Sequence, residues 1–228
     1  MASSGKKTGK VTLSAVERVV DSIRSGISSG RFMAGQRLIE ADITADLKVS
    51  RSSVREAMRR LSAEGLLEIE HHKGARVRQM SRDEVLSLFE TRSVLEGLAA
   101  RLAARNIKQN PALRRTLVEL RIAMQLAMKK GRSQDYVALN HEFHDALVQA
   151  SGNPHLEPLV RQLQTPILRF QFRALIDLEQ MQDSFQGHQK IIAGVLAGNE
   201  SVAEREMKRH VEHSKEFIVN LPSDLFRR

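Results

Sequence analysis

VSRSSVREAMRRLSAEGLL, residues 49–67, is the stretch on which the reading of this chain turns. Ser50 is placed to cap a helix, and Arg51, Ser52, Ser53 and Arg55 crowd its first turns. Val54, Met58 and Leu61 recur four and three residues apart, so they share one face. Arg51, Arg55, Arg59 and Arg60 sit mostly off that face. A helix held down on one side, with hydroxyls and guanidinium groups at its start, suits a DNA major groove. Hydroxyls and a helix N-terminus take phosphates, and Arg takes a guanine edge through two hydrogen bonds. The same pattern also describes a solvated surface helix, so the flanks decide.

On the N-terminal side, Val16, Val19, Val20, Ile23 and Ile27 stripe a helix over Ser14–Ser29, which Gly30 stops. Phe32–Leu38 reads as a turn centred on Gly35, Glu40–Leu47 as a second short helix, and Lys48-Val49 as the tight turn into the third. On the C-terminal side Gly65 ends the third helix. Leu66–Glu70 and Ala75–Arg78 read as strands, and His71-His72-Lys73-Gly74 as the tip between them. Three helices and a basic-tipped hairpin predict a winged helix-turn-helix over residues 14–79, with the second of two short helices as groove reader. Lys73 marks the wing tip, and Gly74 allows close approach to a backbone. Residues 1–13, mostly Ser, Gly and Lys, read as a disordered basic tail.

Charge supports this division. The net charge is +9, and residues 1–80 hold 15 Lys/Arg against 9 Asp/Glu, while residues 81–228 hold 21 against 18. The excess lies in the shorter segment, as a phosphate-binding module requires. With eight Phe, one Tyr and no Trp, base-stacking platforms for single strands are disfavoured. The absence of Cys excludes disulfides and thiolate zinc sites and fits a reducing, cytoplasmic setting. No apolar run reaches the ~18 residues of a membrane span.

Beyond Met80 the pattern is helical throughout, with no P-loop or dinucleotide glycines. Ser81 and Glu84 have capping-box spacing. Helices are expected over Arg82–Asn106, Pro111–Lys130, Ser133–Ser151, Pro154–Ile176, Leu178–Ala197 and Glu200–Asn220, with Pro158 and Pro166 splitting or kinking the fourth. The expected architecture is mainly α: a winged helix-turn-helix followed by an all-α antiparallel bundle of six to seven helices over residues 82–222. Val85, Leu88, Phe89, Leu95, Ala99 and Leu102 stripe the first bundle helix, and Arg92 falls on that stripe. An inward charge is costly unless paired. Either Glu96, four residues on, and another carboxylate pair it, or it faces a polar cavity and receives a carboxylate ligand.

Six of the eight histidines follow residue 140. Asn140 and His144 share a helix face, and the Gly198-Asn199 turn can bring His188 and His210 into the same bundle core. Three imidazoles converging from three helices make a site for zinc, nickel or another borderline divalent ion. By spacing alone any one of them is more often an ordinary, partly buried histidine.

Two resemblances sharpen these readings. Gly35-Gln36-Arg37-Leu38, Glu40, Val49-Ser50-Arg51, Val54-Arg55-Glu56-Ala57, Leu61 and Glu64-Gly65-Leu66 resemble the GntR family of bacterial transcription regulators. The resemblance implies that Arg51, Ser52, Ser53 and Arg55 contact DNA, and that the wing tip, Lys73 and Gly74, touches the minor groove. Lys48 stands where many relatives have Gly, at a position of left-handed backbone, and Ser53 where Pro is frequent. Residues 82–220 resemble the FCD-type effector domain of the FadR-like branch, through Glu90-x-Arg92-x-x-Leu95-Glu96, Phe143-His144, Ser151-Gly152-Asn153, Leu156, His188-x-x-Ile191 and His210. This implies a divalent metal held by His144, His188 and His210 with Asn140, beside a small organic or sugar acid. Asn140 stands where Asp is usual, and an amide oxygen ligates without bringing charge.

The leading expectation is a homodimeric, metabolite-responsive transcription regulator, a repressor by analogy, binding a palindromic operator, with Arg92 on the effector. A metal-dependent enzyme with a nucleic-acid-targeting module is the alternative, but it needs a general base, for which Glu96 alone is placed. An architectural DNA-binding dimer would need a blandly apolar bundle core, against Arg92 and the histidines.

Overall fold

A capping box opens the first helix: the Ser14 hydroxyl accepts from Glu17 N–H, and the Glu17 carboxylate accepts from Ser14 N–H. Helix α1 (Ala15–Ser29) ends at Gly30, whose φ of 82° closes the helix in the left-handed region. Helix α2 (Glu40–Leu47) and helix α3 (Arg51–Ala63) follow, and α3 packs on α1 through Val54, Ala57, Met58 and Leu61 against Val19, Val20, Ile23 and Ile27. Lys48 takes φ 50°, ψ 50° at the C-cap of α2, the one non-glycine positive φ among the described residues. The computed structural model describes residues 13–70, 74–163 and 177–227 and falls into two units, Met1–Arg78 and Gln79–Arg228.

The sheet of the first unit has three strands, where the sequence suggested two. Strand β1 (Arg37–Leu38) pairs antiparallel with β3 (Gly74–Val77), and β3 pairs antiparallel with β2 (Leu67–Glu70), in the order β1-β3-β2. Two residues are too few to show a period-2 pattern, so β1 was hidden inside the expected turn Phe32–Leu38. Arg76 holds it in place by donating Nη1–H to the Gly35 carbonyl at 2.6 Å. Gly74 is not at the hairpin tip but pairs with Glu70 as the first residue of β3. A Cβ there would stand 2.5 Å from the Leu38 carbonyl oxygen, and φ is 88°, so β1 can lie beside β3 only if this residue is glycine.

In the second unit Ser81 and Glu84 form the expected capping box of α4 (Arg82–Asn106). It is followed by α5 (Pro111–Lys129), α6 (Ser133–Ala150), α7 (Leu156–Leu163), α8 (Leu178–Leu196) and α9 (Glu200–Val219). Pro158 sits in the first turn of α7, where its missing N–H has no helical partner to lose. Pro166, and the rest of the expected fourth helix beyond residue 163, lie outside the described residues. Helix α4 packs on α6, α7, α8 and, most extensively, α9.

The buried line of α4 differs from the expected stripe. Leu88, Leu95 and Leu102 are only half-buried, whereas Glu96, Ala100, Ala103 and Ala104 are buried. A long helix flanked on two sides buries two faces, and the small alanines allow neighbouring helices close approach. Phe143, Leu117, Met124, Leu147, Ile191 and Ile192 fill the centre of the bundle. Phe226 closes one end, with the Arg82 guanidinium 4.9 Å from its ring centroid and Arg227 N–H donating to the Met80 carbonyl. No helix among the described residues is long and apolar enough to cross a membrane.

Candidate functional site

Two regions carry chemistry, one in each unit. In the first, Ser50 caps α3 by accepting from Ser53 N–H at 3.1 Å. The Ser52 and Ser53 hydroxyls each lie 2.8 Å from the Ser50 hydroxyl, so three side-chain oxygens cluster at the helix start. Arg51 and Arg55 are exposed beside them. Arg55 Nε donates to the Glu40 carboxylate at 2.8 Å, which leaves the two Nη groups as the outward edge of the guanidinium. These residues border an open concavity of about 680 Å³, lined by Arg37, Arg51, Arg55 and Arg59 with Glu40 and Gly74. It is a cationic trough whose floor is β-sheet and whose wall is the N-terminal half of α3. Lys73 falls outside the described residues.

In the second unit, α6 carries Asn140 and His144, α8 carries His188, and α9 carries His210. One potential ligand nitrogen from each of the three imidazoles lies within 4.8 Å of the others, and all three rings are buried. The centroids of His188 and His210 are 4.4 Å apart, and those of His144 and His210 are 5.4 Å apart. Convergence from three helices is what the sequence suggested; what fixes the rings was not foreseen.

Each ring is backed on its Nδ1 side. His144 Nδ1 lies 2.5 Å from the Glu96 carboxylate, which accepts only, so Nδ1 carries a hydrogen and Nε2 is the atom left to face a metal. His188 Nδ1 lies 3.3 Å from the Tyr136 hydroxyl. With Nδ1–H donating to that oxygen, Nε2 becomes the ligating atom. His210 Nδ1 stands 2.7 Å from where a Cβ on residue 187 would be, so the ring occupies space left open by Gly187. Hydrogen bonds such as those on His144 and His188 orient metal-binding histidines and raise their basicity, whereas Gly187 sets the place of the His210 ring by space alone.

Arg92 pairs with Glu96, Nε to Oε1 at 2.7 Å, and lies 4.9 Å from the centroid of Phe89. The pairing reading of Arg92 is therefore present in the fold. Among the described residues its Nη groups make no further hydrogen bond. Burial alone would raise the Glu96 carboxyl, but the Arg92 guanidinium and His144 outweigh it and hold the group well below the usual carboxylate range. Glu96 is thus a fully engaged anion, not a poised general base. Burial, reinforced by His210 and His144, depresses His188 far below an ordinary imidazole. Burial and His144 push His210 down to about 3. Burial likewise raises the Tyr136 phenol, so it stays neutral. Neutral imidazoles are the form that ligates metals.

Two buried atoms bear on whether a cation fits. His188 Nε2 and Asn140 Oδ1 have no hydrogen-bond partner among the described residues. Buried polar atoms are nearly always satisfied, and both are lone-pair donors on the helices that carry the cluster. The donor set therefore suits a divalent ion of borderline softness. His213 stands apart, 55% exposed and 3.6 Å from Asp183. Tyr136 and Gly187 escaped the sequence reading. The first is the sole tyrosine and carries no motif, and the only signal for the second was a glycine inside a helix, next to a histidine.

Comparison with known proteins agrees with this layout. Residues 15–77 match the model of the family described as bacterial regulatory proteins, gntR family, and residues 87–213 match the FCD domain. The chain is 32% identical over 211 residues to the "Probable D-xylose utilization operon transcriptional repressor" of Paenarthrobacter nicotinovorans, covering 92% of this chain and 91% of that one. It is 27% identical over 195 residues to the HTH-type transcriptional repressor GlaR of Escherichia coli, covering 83% and 89%. The solved structure of E. coli McbR/YncC superposes with a TM-score of 0.71 at 21% identity, over 91% of this chain and 98% of that one, a likeness of fold.

Proposed function

We propose, given that the chain belongs to the GntR family of bacterial regulatory proteins and carries an FCD domain, that this transcriptional regulator senses a small carboxylate beside a divalent metal and represses from a palindromic operator as a homodimer. The observation that carries the sensing part is the cluster of three buried imidazoles, with an amide oxygen one turn before His144 that has no hydrogen-bond partner among the described residues. His144, His188 and His210 hold the ion, zinc or nickel, and Asn140 supplies a fourth, oxygen donor. The metal when bound offers a Lewis-acidic seat for an acid's oxygen. Arg92, with its Nη edge available, orients the rest of the acid, as guanidinium forks do. The named relatives include repressors, one of them of a sugar-utilization operon, which supports repression and a sugar-derived or other organic acid as effector.

In the DNA-binding unit, Arg51 and Arg55 read base edges, Ser52 and Ser53 contact phosphate, and Lys73 brings the wing to the minor groove, with Gly74 fixing the strand behind it. Two-fold symmetry of the dimer matches a palindromic site, with one α3 in each half-site. An acid that binds better to one packing of α4, α6, α8 and α9 shifts the population toward that packing. Helix α4 carries both Arg92 and Glu96, and four residues separate it from β3, so it is the element through which such a shift reaches the DNA-binding unit along the chain.

Elemental analysis of the purified protein tests this directly. Wild type is expected to carry about one divalent ion per chain and the His144→Ala/His188→Ala variant none, while both retain helical circular dichroism. Equal metal content in the two would place any metal elsewhere and remove the basis of the reading.

A further inference from the structure

We infer that this centre takes up its divalent metal and an anionic ligand as an interdependent pair, because the donors the metal reading assigns among the described residues, His144, His188, His210 and Asn140, are all uncharged as ligands. The inference rests on the metal reading above and extends it to how the site is regulated.

The charge count follows from contacts already described. Glu96 is the carboxylate nearest the cluster, but it receives Arg92 Nε at 2.7 Å and His144 Nδ1 at 2.5 Å. Both its oxygens are thereby occupied on the far side of the His144 ring, and its charge is cancelled by Arg92. The amide of Asn140 brings an oxygen and no charge. A divalent ion seated on these donors keeps its full +2 in surroundings where His144, His188 and Glu96 are 4%, 0% and 1% exposed. Uncompensated charge in such surroundings is strongly disfavoured, and a metal's own charge dominates the electrostatics of its site. A carboxylate entering as a further ligand removes the imbalance, and linkage requires each partner to tighten the other by the same factor. The chain then responds to an acid only when metal is available, and holds metal firmly only when the acid is present. The class of ligand selected is a small mono- or dicarboxylate, and neutral sugars or cations gain nothing from the imbalance.

The test uses metal-stripped full-length protein and Zn²⁺ as probe, titrated against a chromophoric chelator with and without saturating acetate. Acetate's weak binding of free Zn²⁺ works against the expected direction. Acetate is expected to lower the zinc dissociation constant of wild type by about 10-fold or more, within the range usual for coupled sites. Asn140→Asp supplies the missing charge, so it is expected to bind zinc more tightly without acetate and to lose most of the acetate effect. Asn140→Ala, which removes a donor without adding charge, is expected to keep the acetate effect at weaker overall affinity. It also stands in should Asn140→Asp fail to fold by circular dichroism. Tight zinc binding by wild type that ignores acetate overturns the coupling and leaves the metal reading intact. An acetate effect as large in Asn140→Asp as in wild type overturns it too. Absence of zinc binding under either condition overturns the metal reading and the coupling together.

Discussion

Gly187→Ala sets two opposing effects against each other, and the geometry decides between them. In the interior of a helix, Ala is better than Gly by about 1 kcal/mol, and residue 187 lies within α8. Helix propensity alone therefore calls for stabilisation. The new methyl carbon, however, would stand 2.7 Å from His210 Nδ1 and 3.4 and 3.5 Å from the ring and side-chain carbons behind it. Restoring ordinary contact at 3.4 Å moves Nδ1 by about 0.7 Å. His210 is 7% exposed, so the side chains packed around it resist that movement. Overpacking of this kind typically costs about 1–3 kcal/mol, so the metal-free protein should change by about 0–2 kcal/mol in the destabilising direction, read by urea denaturation. The larger effect falls on the metal. Zn–N bonds tolerate about 0.2 Å of misplacement, less than the ring must move. Zinc affinity, measured by chelator competition, should fall by about 10–100-fold, as when a ligand loses its supporting contacts. A variant that is more stable by about the full helix-propensity gain and binds zinc as wild type does would show that α8 does not back His210, and the account of how the rings are fixed would fail.

Other expectations concern both units. Arg51→Ala should weaken binding to the cognate operator by about 1–3 kcal/mol in fluorescence anisotropy; loss of the same size on unrelated duplexes would make Arg51 a phosphate contact only. Lys48→Gly removes a left-handed strain of about 1–2 kcal/mol, partly offset by the entropy of glycine, and should stabilise the DNA-binding unit by a net ~1 kcal/mol, seen as a higher urea midpoint. A lowered midpoint would mean that the Lys48 side chain makes contacts worth more than the strain. Arg92→Met leaves Glu96 buried with His144 as its described partner, and breaking such a pair costs about 3–5 kcal/mol. Thermal unfolding that barely moves would show that the carboxylate does not depend on the guanidinium.

The DNA-binding unit was legible because its determinants are local. Ser14 with Glu17, Ser50, Gly30 and Gly65 mark helix ends by chemistry that acts over three or four residues, and the structure uses all of them. Strand β1 was not legible, since its two residues are strand only through pairing with β3, some 40 positions away. The three histidines could be nominated because imidazoles are few. Their backing could not: Glu96 was read as the partner of Arg92, and nothing within α4 indicates that its second oxygen meets a residue on α6. The same holds for the expected leucine stripe on α4. Periodicity identified the helix, but which alanines are buried depends on how closely α9 lies against it.

The trough beside α3 mixes its charges. Arg55 is tethered to Glu40, and Glu70, which also lines the trough, accepts from Arg76 at 2.8 Å. An arginine that already has an internal anion displaces fewer condensed counterions when it meets a duplex. Plotted logarithmically against salt, the association constant should therefore decline less steeply than about 0.9 per arginine counted. A reading surface of this composition gives up indiscriminate adhesion to polyanions. Should α3 read the operator as proposed, the regulator would search a chromosome with a light grip and reserve its strength for the sequence that can draw those guanidinium groups away from their own carboxylates.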